Sequence, residues 1–435
     1  MSESSLERLV PEADFARLLG HEASRLFERA ARLASKDQRP WGKRDLFELH
    51  SEADELEACL DDYGARWNAQ YHLFTELTAS VRGFSLAGLS LEHLHRRLGG
   101  YGLESSLGAE RVEEVRGSVE RGRAFVRRSL EALLAALRDE AGSIGVQVVE
   151  APAGTAASTQ PPIHFRLPRT LGIQDLTDEE QRIAEVASKY LQAADMLEAA
   201  GLEAVTDAAE RERLLLNRCR EEHARVFEAT IHNLQSAYDT HVKNTRREAE
   251  DERLPRLRGH VSATLHLLEA ITQLVHFVER HENGERAAEA QERLAELVPR
   301  HEVHELVLNE LSQAALEVLG AGRALAEDLL PSYTDVQATA VELPEGLTLH
   351  ARPIALLVAV VQHHGTPVEV EIAGGTANAG SILEVMILAG SNPEVRTLEF
   401  RGDTHPLEDL RLLFEAGLGE WGMDRLPDAL SYLRS

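Results

Sequence analysis

Cysteine is nearly missing: Cys59 and Cys219 are the only two in 435 residues. So few thiols exclude a disulfide framework and a zinc knuckle. Both fall on helical patterns and are expected as buried structural thiols. Lysine is almost as scarce, with Lys36, Lys43, Lys189 and Lys243 alone and none in the last hundred residues. Arginine and lysine together number 46 against 73 acidic residues, a formal net charge of −27. That balance removes nucleic acid from the partner list, because a phosphate backbone needs clustered cations. No apolar run reads as long enough to span a bilayer, and Met1 to Pro11 lacks the basic-then-apolar layout of an export signal. No membrane insertion and a cytoplasmic location are therefore expected.

Proline is absent between Pro40 and Pro152 and again between Pro168 and Pro255, which leaves room for long helices. In the first gap Leu46, Leu49, Ala53, Leu56, Leu60, Tyr63, Trp67, Tyr71, Phe74, Leu77 and Val81 recur at spacings of three and four, an amphipathic stripe. Val112 to Leu137 repeats the pattern, so residues 1–142 read as a helical bundle. Residues 143–175 break it, with a short strand expected at Val146 to Val149 and a linker at Ala151 to Pro162. Helical spacing resumes through Ile183, Val186, Tyr190 and Leu197, then Val261, Leu265, Leu268 and Ile271, up to Pro331. Residues 176–332 are expected to form a second helical bundle.

The last hundred residues change character. Val341-Glu342-Leu343 reads as the end of a strand, Pro344-Glu345-Gly346 as a turn, and Leu349-His350-Ala351-Arg352-Pro353 as the opening of an apolar helix. Proline is tolerated in a first turn, where its missing N–H has no partner to lose. His350 and Arg352 thus stand where free amides and the positive end of the helix dipole face outward, a place suited to phosphate. Next come a strand at Pro367 to Ala373, a hairpin turn at Gly374-Gly375, a short apolar helix from Ser381, a strand at Val395 to Phe400 and a helix from Leu407 to Ala416.

The order βαββαβα, with LHARP and the GSILEVMILAG stretch, resembles the HPr family of bacterial phosphocarrier proteins over roughly residues 336–420. The resemblance implies an α+β open-faced sandwich at 336–435, following the mainly α N-terminal region. It implies that His350 accepts and donates a phosphoryl group and that Arg352 holds its oxygens, a task suited to a guanidinium fork. Ser381 matches the serine that a dedicated kinase phosphorylates in some bacteria; by local chemistry it is equally a helix cap. Ile382, Leu383 and Met386 would form an apolar docking patch, or else belong to the core.

Three departures from the family pattern stand out. Thr348 replaces the usual glycine two residues before the histidine. Ala379-Gly380 stand where many members carry a basic residue. The chain also continues from Glu420 to Ser435, with Trp421 and Leu426 placed to pack back on the domain.

Elsewhere the chemistry is sparse. Glu92-His93-Leu94-His95 holds a lone Glu-x-x-His where a di-iron bundle needs two, and His301 and His304 have no further ligands near them in sequence. No metal and no cofactor are expected. No P-loop, nucleophile elbow or dinucleotide fingerprint occurs, and the glycine-rich Ser-His stretch by which enzyme I is known is missing. The expectation is a phosphoryl carrier of a phosphoenolpyruvate-dependent sugar phosphotransferase system, rather than a free-standing catalyst. Its partners would be a donor resembling enzyme I and acceptor proteins of the system. The alternative is a regulatory protein in which the HPr-like domain reports phosphorylation state and the helical region docks a regulator or kinase.

Overall fold

The structure, a computed structural model, describes residues 12–34, 41–147, 176–243, 245–280 and 288–434. Most of the expected linker lies outside these residues. Val146 and Gln147, expected to open a strand, are irregular, and Val148 and Val149 lie outside the described residues. The chain divides into two compact units, one of residues 1–165, 196–233 and 258–321, the other of 166–195, 234–257 and 322–435. This differs from a succession of two bundles, because much of 176–332 joins the same unit as residues 1–165.

The first unit begins with α1 (Glu12–Glu22), α2 (Ser24–Ala34), α3 (Lys43–Asp62), α4 (His72–Arg97) and α5 (Ala109–Ser143). Helix α4 lies against both α3 and α5, and its buried hydroxyls return to their own backbone. Thr75 donates to the Tyr71 carbonyl at 3.0 Å and Ser85 to that of Val81 at 2.7 Å, so these hydroxyls keep partners inside the core. Gly88 lets α4 approach closely, since a Cβ there would lie 3.1 Å from Val126 and 3.2 Å from Leu46. Cys219 is buried while Cys59 is only partly so, and neither forms a disulfide.

The later helices are α6 (Leu176–Ala199), α7 (Ala208–Arg218), α8 (Glu221–His241), α9 (Arg253–Arg280) and α10 (Ala288–Leu297). Another runs Arg300–Glu305, widens into a π-helical stretch at Leu306–Ser312 and resumes at Gln313–Ala321. Helix α9 corrects the expectation that no stretch is long and apolar enough to cross a membrane: it is 28 residues long, and an 18-residue window within it reaches a mean hydropathy of 1.3. Of that apolar window 78% is buried in the fold. A helix apolar on every side is what a bundle core requires, as well as a bilayer.

In the second unit the elements follow the expected order: β1 (Val336–Glu342), α11 (Ala351–His364), β2 (Val368–Ile372), β3 (Gly375–Asn378), α12 (Ile382–Ser391), β4 (Thr397–Asp403) and α13 (Thr404–Glu415). The sheet order is β1-β4-β2-β3, with every neighbouring pair antiparallel. Strand β2 alternates strictly: Val368, Val370 and Ile372 are buried, Glu369 and Glu371 exposed. Period-two alternation puts one face of the sheet on the core. There Val370, Leu398 and Phe400 join Ile354, Leu357 and Val361 of α11 and Leu410, Leu413 and Phe414 of α13 in a single cluster.

Two local details differ from expectation. Ile372 pairs with Gly375, so the hairpin turn is Ala373-Gly374, one residue earlier than read from the sequence. Both turn residues have positive φ, +53° and +82°, as a two-residue turn matched to the strand twist requires. In the terminal segment Leu426 is buried but Trp421 remains 48% exposed.

Candidate functional site

Helix α11 begins because the chain turns sharply at Thr348 and then finds a long apolar stripe to bury. The His350 N–H donates to the Thr348 carbonyl at 3.2 Å, and the His350 carbonyl accepts from Ile354 at 3.1 Å. His350 is thus the N-cap, in an extended conformation, and its side chain makes no capping bond. The imidazole is left free for other work. Pro353 contributes no N–H, so Ala351 and Arg352 supply the amides at the head of the helix. Those amides and the helix dipole favour an anion at this point.

The side chains of His350 and Arg352 are 53% and 58% exposed, open to a macromolecular partner. Between them lies a residue that the sequence reading gave no role. Glu420 Oε1 is 3.7 Å from His350 Nε2 and 3.9 Å from Arg352 Nε. These are ion-pair distances, longer than a hydrogen bond, and this oxygen is buried without a hydrogen-bond partner. The loop that delivers it is tightly constrained. Gly417, Leu418 and Gly419 have φ of +71°, +53° and +74°, and the Leu418 side chain is fully buried. A Cβ on Gly419 would come within 2.6 Å of Leu356 on α11, and one on Gly417 within 2.3 Å of the Trp421 ring. A Gly-x-Gly before an acidic residue was the available signal, but nothing in the sequence tied it to a histidine seventy positions earlier.

Ser381 caps α12: its hydroxyl accepts from the Glu384 N–H at 3.4 Å, while the Glu384 carboxylate accepts from the Asn378 N–H at 3.0 Å. The α12 residues divide cleanly. Val385 and Ala389 point into the core, whereas Ile382 is 46%, Leu383 69%, Met386 43% and Ile387 61% exposed. The apolar patch therefore exists, Met386 belongs to it, and Ile387 extends it. Helix α12 packs on α11, the helix that His350 heads, so the patch and the His350 site belong to the same small domain.

The histidines flagged in the helical unit are engaged otherwise. Glu92 accepts from Arg96 at 2.7 Å and Arg123 at 2.5 Å. The His93 ring lies 4.2 Å from that of His266, tilted by 47°, and takes a contact from Lys43 at 3.3 Å. Burial, with His266 and Lys43 beside it, pushes His93 down to about 4. His301 borders a cavity of about 400 Å³ also lined by Arg121, Arg128, Arg211, Glu305 and Glu310. The arginines there already pair with glutamates: Arg121 with Glu310, Arg211 with Glu305.

Residues 337–414 match the family model described as "PTS HPr component phosphorylation site". No curated protein and no solved structure matches the chain. The match begins inside β1 and ends inside α13, so it covers the sheet and the three helices built on it but stops short of Glu420. The C-terminal part of this chain is an HPr-like domain.

Proposed function

We propose that this protein is a phosphocarrier of a phosphoenolpyruvate-dependent sugar phosphotransferase system, taking a phosphoryl group onto His350 and passing it to an acceptor protein. The observation that carries the reading is the half-exposed imidazole at the head of α11, spared from capping, with the Arg352 guanidinium approaching the same Glu420 oxygen. A ring nitrogen attacks phosphorus, the donor's bond to phosphorus breaks, and the reverse steps deliver the group onward. Arg352 and the first amides of α11 neutralise the phosphoryl oxygens. Ile382, Leu383, Met386 and Ile387 offer donor and acceptor proteins an apolar contact on the helix packed against α11. Ser381 serves first as a cap; a phosphate there would put negative charge at the edge of the docking patch. The reading keeps the protein in the cytoplasm, where donor and acceptors meet it.

Incubation with phosphoenolpyruvate and enzyme I is expected to give an acid-labile, alkali-stable label that His350→Ala abolishes. Equal labelling of His350→Ala and wild type would remove His350 from the reaction. A second reading, in which the domain reports phosphorylation state to a regulator, draws on the extent of the helical region outside the family match. A reporter labels but does not donate, so transfer to a soluble transport component separates the two.

A further inference from the structure

We propose that the cavity walled by α5, α7 and the π-helical stretch binds a small, neutral, polyhydroxylated molecule of the sugar class, held by three arginine–glutamate pairs. The inference is independent of the phosphocarrier reading, since every residue it uses lies in the first unit.

The cavity, of about 400 Å³, falls in the size range of small-molecule sites, about 300–1,000 Å³. Arg121, Ala124, Phe125 and Arg128 come from α5, at positions that share one side of a helix. Helix α7 supplies Arg211. The rest of the charged lining is Glu302 and Glu305 from the short helix and Glu310 from the π-helical stretch. A π turn holds more residues than an α turn, which brings Glu310 round to the side of Glu302; such turns recur at functional sites.

Each arginine has its own carboxylate. Arg121 makes a fork to Glu310, with Nε donating to Oε1 at 2.8 Å and Nη2 to Oε2 at 2.5 Å. Arg128 Nη2 lies 3.5 Å from Glu302 Oε2, and Arg211 pairs with Glu305. Three positive charges thus meet three negative ones. An anion would have to open these pairs to be held, and a cation would face three guanidiniums. A hydroxyl meets neither obstacle. A guanidinium has five N–H donors and a carboxylate about four acceptor sites, so the pairs leave both kinds unused side by side. One hydroxyl can accept from the arginine and donate to the glutamate.

The clearest unused donor is on Arg211. Its side chain is only 8% exposed, and Nη1 also reaches the Val205 carbonyl at 3.3 Å. Its Nε is buried with no hydrogen-bond partner, a cost that an arriving acceptor removes. Ala124, Phe125 and Leu306 add apolar lining, a match for the C–H faces of a sugar ring.

The full chain is titrated by calorimetry with D-glucose and maltose, and with glucose 6-phosphate and glucosamine as charged forms of the same ring. At least one neutral sugar is expected to bind. Both charged forms should bind about tenfold or more weakly than it, because an arginine–glutamate pair must open to admit either charge. Arg121 is 59% exposed, so Arg121→Gln should keep the thermal midpoint while weakening the sugar about tenfold. Arg211→Lys keeps the charge beside Glu305 but removes the Nε donor, and should weaken it likewise; if that variant does not fold, Arg121→Gln decides. His350→Ala should bind as wild type does. Failure of both neutral sugars to bind overturns the proposal. So does a charged form that binds as tightly, or an affinity unchanged in Arg121→Gln.

Discussion

The Tyr432 ring lies flat on His363, centroids 3.6 Å apart and planes within 6°. The Tyr432 hydroxyl donates to Asp409 Oδ2 at 2.7 Å, and His364 Nε2–H donates to the same oxygen at 2.8 Å. This cluster fastens the last residues of the chain to the far end of α11. Tyr432→Ala loses both the stack and the bond and should destabilise the C-terminal unit by about 1–3 kcal/mol. Tyr432→Phe keeps the stack and should lose about 1 kcal/mol. Hydrogen exchange over residues 423–434 reads both: a variant as protected as wild type contradicts the account.

The same cluster sets a pH dependence. Burial, helped by His364 and Arg182 and opposed by Asp409 and Glu185, lowers the His363 imidazole below its ordinary value of 6.5. The folded state then binds fewer protons than the unfolded chain, so this stability is complete above 6.5 and is lost as pH falls. In the helical unit, burial pushes both His93 and His260 down to about 4. His260 is fully buried, bonded through Nδ1 to the Val318 carbonyl at 2.7 Å. Its stabilisation should likewise be present above 6.5 and drain away between 6.5 and 4. Thermal midpoints measured across that window should fall with acid, and less steeply in His93→Gln. A flat profile contradicts the assignment.

Ala373 holds φ +53° in the β2–β3 turn, a conformation that costs a residue with a Cβ about 1–2 kcal/mol and glycine almost nothing. Ala373→Gly should therefore stabilise the domain by about 0.5–1 kcal/mol, after the entropy that glycine adds to the unfolded chain. A urea midpoint that moves down instead shows that the turn is not strained.

Leu383 and Ile387, at 69% and 61% exposure, contribute little to the core, so Leu383→Asp and Ile387→Asp should leave thermal stability within about 0.5 kcal/mol of wild type. If they dock the donor, each should raise the KM for enzyme I about tenfold or more while phosphoramidate still loads His350 at the wild-type rate. An unchanged KM would place docking elsewhere.

Much of this was legible in the sequence because the signals were local. The strict alternation of β2 and the apolar run of α11 gave the βαββαβα order, and His350-Ala351-Arg352-Pro353 marked a helix start with spare donors. The hairpin turn slipped by one residue because glycine at 374 and 375 offered two registers; the β2–β3 pairing takes the one with Ala373 and Gly374 at positive φ. Helix α9 was underrated as an apolar segment because its hydrophobic residues were read as one stripe, whereas it is buried on most sides. Glu420 was invisible as a site residue because its approach to His350 depends on three left-handed residues and the packing of Leu418, which no spacing rule encodes.

The most direct test of the central claim is site mapping of phosphate by mass spectrometry under non-acidic conditions, on protein incubated with phosphoenolpyruvate and enzyme I. The account predicts phosphate on His350, absent from His350→Ala and strongly reduced in Arg352→Ala. Phosphate on any other histidine, with His350 unmodified, would contradict it.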